Sequence, residues 1–84
     1  GQSEVVNDHE RQITSIFISE EMCLFVTASL DGYVNMYNLW TAELIRTFTS
    51  QTPVYSAILA QSPLPMCAFF SRDEHMWHAY TING

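Results

Sequence analysis

The chain contains no lysine. Its arginines are Arg11, Arg46 and Arg72, set against nine Asp and Glu, so the formal net charge is −6. An acidic chain repels phosphate backbones, which argues against nucleic-acid binding. An anionic membrane surface is equally unfavourable as a direct partner. Charge of either sign is scarce: charged residues make up 14% of the 84 positions and hydrophobic residues 48%. That composition is globular rather than disordered. Cysteine is scarce too. Cys23 and Cys67 both lie in apolar runs and read as buried thiols in a reducing compartment, not as a secreted disulfide framework. No apolar run is long enough to span a bilayer, and no signal peptide is recognisable. These absences predict a cytoplasmic setting without direct membrane insertion. Peripheral association with endomembranes would then be carried by other domains.

What is present is a succession of short β-prone runs. Ile13 to Ser19, Cys23 to Ser29, Tyr33 to Leu39 and Leu44 to Ser50 are rich in β-branched and aromatic residues and bounded by polar turn residues. No segment carries a convincing helical period. Consecutive short strands predict antiparallel hairpins in a four-stranded meander. Ile16 and Ile18 oppose Ile13 and Phe17, and Leu24, Val26 and Ala28 oppose Phe25, Thr27 and Ser29. Apolar residues on both faces predict a sheet packed between two neighbours, as in a propeller blade.

The most informative segment is Thr27-Ala28-Ser29-Leu30-Asp31-Gly32, followed by the alternating run from Tyr33 to Leu39. Gly takes positive φ freely and Asp bonds nearby backbone amides, so Asp31-Gly32 marks a tight turn between strands. The same pattern sits at the centre of a WD-repeat blade. A repeat supports this: Ile13-Thr14-Ser15-Ile16-Phe17-Ile18-Ser19 is similar to Val54-Tyr55-Ser56-Ala57-Ile58-Leu59-Ala60, at about the 40–45-residue WD period. Tyr37-Asn38-Leu39 pairs with Tyr80-Thr81-Ile82, which predicts two extra residues in the second unit's middle turn. The expected fold is all-β, with antiparallel four-stranded WD-repeat propeller blades. Residues 1–12 are a tail or the end of a preceding strand, 13–50 a complete blade, and 51–84 three strands of a second.

Three segments carry a narrower resemblance. Leu30-Asp31-Gly32-Tyr33-Val34-Asn35, Ser62-Pro63-Leu64-Pro65 and His78-Ala79-Tyr80-Thr81-Ile82-Asn83-Gly84 resemble the C-terminal WD-repeat region of BEACH-domain (neurobeachin-family) proteins. That resemblance implies a cytoplasmic scaffold in vesicle trafficking, lysosome biology or autophagy, acting through protein partners. His9, Asp31, Thr27 or Ser29, and Tyr37 resemble the WD family's structural relay from His to Asp to hydroxyl to Trp, with Tyr37 in place of Trp. Its role would be to satisfy buried polar groups and lock the turn.

A catalytic triad of His9, Asp31 and Ser29 is the tempting alternative, but no nucleophile turn or oxyanion motif accompanies it. A metal site from Cys23, Cys67, His75 and His78 lacks paired-ligand spacing. Met36, Met66 and Met76 read as packing residues, and Glu20-Glu21 as a solvated turn. Trp40 falls in a predicted hairpin turn, where exposure is the default, and is the candidate partner contact; the alternative is that it folds back on the adjacent blade. The expected function is a non-catalytic scaffold without cofactor. Its partners are other proteins and the rest of a propeller or other copies of the chain. A WD-repeat adaptor in an unrelated assembly, such as a ubiquitin ligase, is the alternative. A hydrolase using His9 or His78 is the rival from another class.

Overall fold

The structure is a computed structural model that describes residues 12–61 and 63–82. Seven strands follow in chain order: β1 (Ile13–Ser19), β2 (Leu24–Ser29), β3 (Tyr33–Asn38), β4 (Leu44–Thr49), β5 (Val54–Ala60), β6 (Met66–Ser71) and β7 (Met76–Thr81). They form two antiparallel meanders, β1-β2-β3-β4 and β5-β6-β7. The described chain is all-β, with sheets of four and three strands consistent with WD-repeat propeller blades.

The alternation along each strand decides how the sheets meet. Register aligns Phe17 with Val26 and Val26 with Met36, and aligns Ala28 with Val34 and Val34 with Phe48. One face of the first sheet is therefore mostly apolar, with Arg46 aligned to Met36 at its β4 edge. It stacks on Val54, Ala57, Leu59, Cys67 and Phe69 of the second sheet to form one buried core. Burial of such side chains contributes about 1.5–3 kcal/mol each and is the main force holding the two sheets together. A polar bond crosses the same junction: the Thr14 hydroxyl, beside a bulge between Ile13 and Ser15, donates to the Val54 carbonyl at 2.7 Å.

On the opposite face of the first sheet the expected second neighbour is not uniformly replaced. Ile16 and Ile18 are each 59% exposed, whereas Thr27, Asn35 and Tyr37 are buried. Phe25 and Tyr37, paired across β2 and β3, stack at 4.9 Å.

Element ends differ from the sequence expectation by one residue, for local reasons. Cys23 sits at φ 57 in the turn rather than on β2, its N–H bonding the Glu20 carbonyl. β3 stops at Asn38 because the Asn38 carboxamide oxygen accepts the N–H groups of Trp40 and Thr41 at 2.8 and 3.0 Å. Ala42, at φ 60, reverses the chain into β4, which ends at Thr49, not Ser50. The two extra residues of the second unit do not share one turn. One lengthens the connection 61–65 relative to 20–23, and the other lengthens 72–75 relative to 30–32.

Candidate functional site

The Asp31-Gly32 turn is built as its residues require. The Asp31 carboxylate accepts the Tyr33 N–H at 2.9 Å, and the Ser29 hydroxyl accepts the Asp31 N–H at 3.2 Å. Gly32 lies at φ +86, a region that costs a residue with a Cβ about 1–2 kcal/mol. Thr27, Ser29 and Tyr37 are buried, and each of Thr27, Ser29, Asp31, Asn35 and Tyr37 is engaged in interactions of its own. His9 lies outside the described residues, so the relay proposed for this turn remains a proposal.

The second sheet carries a polar chain that the sequence reading missed. Thr52 and Ser71 hydroxyls bond each other, the Ser71 hydroxyl accepts the Glu74 N–H at 3.4 Å, and the Glu74 carboxylate meets His78 Nε2 at 2.8 Å. His78 stacks on Phe69 at 5.4 Å. The signal was available: Ser71 closes β6 as Ser29 closes β2. Glu74 stands beyond it where Asp-Gly stands in the first unit. Hydrogen bonds from His78 and then Ser71 hold the Glu74 carboxyl below the usual range. Phe69, Glu74, His78 and Tyr80 border a shallow hollow of about 220 Å³.

The described members of the catalytic and metal readings lie apart or buried. Ser29 and Ser71 are fully buried, and a buried hydroxyl cannot reach a substrate. Cys67 is buried in the core, and that burial pushes its thiol up to about 12, against the opposing charge of Arg46. Cys23 is exposed in the turn 20–23, and His75, at φ 55, is in the turn before β7 rather than on the strand. Among the described residues, no group of three His, Cys, Asp or Glu side chains converges as a metal site.

Recognition surface is better provided. Trp40 is 74% exposed, on a turn whose backbone is fixed by Asn38. The neighbouring turn 20–23 is tied to it by the Leu39 N–H to Cys23 carbonyl bond at 2.9 Å. Behind turn 20–23, at the loop end where the two sheets meet, an open groove of about 470 Å³ is lined by Phe17, Glu20, Glu21, Met22, Leu59 and Gln61, among others. Nothing in the sequence alone brought turn 20–23 beside Leu59 and Gln61.

Comparison with known proteins gives this geometry its context. No family model matches the chain. Over 55 residues it is 42% identical to "Eukaryotic translation initiation factor 3 subunit I" of Homo sapiens and of Mus musculus, which covers 66% of this chain and 17% of each relative. The Bombyx mori subunit is 34% identical over the same length, again 66% of this chain and 17% of the relative. The chain spans about 17% of the length of these curated relatives. They are WD-repeat proteins, and a WD-repeat region is what the similarity supports; the expected BEACH-domain family is not what it points to.

Proposed function

We propose that the chain is a non-catalytic WD-repeat segment that holds protein partners in a translation initiation factor assembly, the unrelated-assembly alternative to a trafficking scaffold. The observation that carries this reading is the 42% identity over 55 residues to a subunit of initiation factor 3, on a fold of two stacked antiparallel sheets. In this reading the polar chains at the two strand turns are structural, locking hairpins that must present loops in fixed positions. His9, outside the described residues, is the expected further member of the chain at Asp31, and the setting is cytoplasmic. Trp40 is the anchor: a large exposed indole on a rigid turn loses little entropy on binding.

The test is binding of the purified chain to the other purified subunits of initiation factor 3, measured by biolayer interferometry. The wild type is expected to bind. Trp40→Ala should weaken binding about thirtyfold, the effect of losing a contact of about 2 kcal/mol, with an unchanged melting curve. Absence of wild-type binding overturns the assembly reading. Wild-type binding indifferent to Trp40→Ala removes Trp40 from the interface.

A further inference from the structure

The groove at the loop end of the two sheets has a chemical character of its own. Its floor is apolar: Phe17 and Met22 from the first sheet's end and Leu59 from β5. Its rim carries two adjacent exposed carboxylates, Glu20 and Glu21. The turn that bears them is fixed by two bonds, the Cys23 N–H to the Glu20 carbonyl and the Met22 N–H to the Ser19 hydroxyl, each at 3.2 Å. Neither described arginine lines the groove. Arg46 donates to the Thr81 and Ile82 carbonyls and lies over the Phe48 ring, and Arg72 lies over the Tyr55 ring.

We infer that this groove receives a cationic side chain, Arg or Lys, from a protein partner. This rests on the protein-docking reading above and gives that partner its chemistry. The aliphatic stem of Arg or Lys lies on apolar surface while its charged head stays at the rim. A stem over Phe17, Met22 and Leu59 puts the head against Glu20 and Glu21. A neutral apolar segment would strip water from both carboxylates without replacing their partners, which is unfavourable. The net charge of −6 steers cations toward the chain. The groove opens at a loop end, where the exposed Ile18 also borders it.

The test uses end-blocked peptides of alternating leucine and arginine as probe, with matched peptides carrying glutamine or glutamate in place of arginine. The Met22 methyl resonance of the intact chain reports occupancy. The arginine peptide is expected to shift that resonance. The Glu20→Gln/Glu21→Gln double variant, altered only in an exposed turn, should bind it about tenfold more weakly, the effect of two partly exposed ion pairs. Binding should also weaken between about 0.1 M and about 1 M salt, as the screening length drops from ~10 to ~3 Å. Equal binding of the glutamine peptide, indifference to the double variant, or no response at Met22 overturns the inference. So does a Met22 shift that follows chain concentration without peptide, which would seat a second copy there. Initiation-factor binding that survives while the arginine peptide fails overturns only the cationic assignment. The reverse result overturns only the assembly reading.

Discussion

At Gly32 a single hydrogen atom decides whether the β2–β3 hairpin closes. A Cβ built there would lie 2.6 Å from the Ser50 carbonyl oxygen, and φ is +86. That carbonyl belongs to backbone and cannot step aside, while the Ser50 N–H donates to the Gly32 carbonyl at 2.7 Å. Gly32→Ala should cost more than the ~1–2 kcal/mol of the left-handed backbone alone, read as a lower urea midpoint. Asp31 acts through its carboxylate oxygen. Asp31→Ala, which removes the acceptor of the exposed Tyr33 N–H, should destabilise by about 0.5–1.5 kcal/mol. Asp31→Asn, which keeps an oxygen acceptor, should recover most of that. If His9 joins the relay, His9→Ala and Asp31→Ala will be non-additive in a double-mutant cycle; additive losses would remove His9 from it. Cys67 makes a different prediction. Burial pushes its folded thiol up to about 12 from an ordinary 9.0. The burial contribution is present below the ordinary value and is lost as pH rises through the folded one. Stability should fall across that alkaline window in the wild type and less so in Cys67→Ala. At neutral pH, Ellman's reagent should label Cys23 quickly and Cys67 only in denaturant.

At the scale of elements, the β6–β7 hairpin is where charge can be read most directly. The Glu74 carboxyl is held low by its bonds to His78 and Ser71. A carboxyl with a depressed folded value adds stability above its ordinary range and loses it as pH falls through the depressed value. His78→Ala should return the Glu74 carboxyl titration, followed by carbon NMR, toward the ordinary range. An unmoved Glu74 titration would mean the pair has no force in solution. The strands themselves were legible, because β-branched and aromatic runs bounded by Ser, Glu, Asp and Gly leave few alternatives. Their ends were not. Cys23, Ala42 and His75 take positive φ without being glycine, and such a turn has no residue signature. The Asp31 turn was legible from Asp-Gly. Its counterpart was signalled only by Ser71 closing β6 as Ser29 closes β2, because a different acid at a different spacing performs the bonding. The groove could not be read at all, since it exists only when turn 20–23 is laid beside Leu59 and Gln61.

For the whole molecule, the decisive quantity is the apolar surface left over after the two sheets have stacked. Ile16 and Ile18 on one side, and Trp77 at 52% exposure beside Phe70 and Ile58 on the other, offer faces with the character of blade interfaces. Large exposed apolar patches are uncommon on monomers and mark contact surfaces. Stacked repeats normally number at least about three before both faces are served, and the two sheets here are four- and three-stranded. The 84 residues alone should therefore self-associate, with light scattering giving a mass above that of one chain and rising with concentration. Replacing Ile16, Ile18 and Trp77 by Thr should lower that mass without abolishing the far-ultraviolet strand signal, since none of the three belongs to the buried core. Embedding the same residues between further blades should have the same effect as the substitutions, because the faces are then covered. The opposite result is equally clear in meaning. A wild-type chain that stays monomeric at all concentrations and unfolds in one cooperative step would satisfy its own faces, and the reading of these sheets as blades awaiting neighbours would have to be given up.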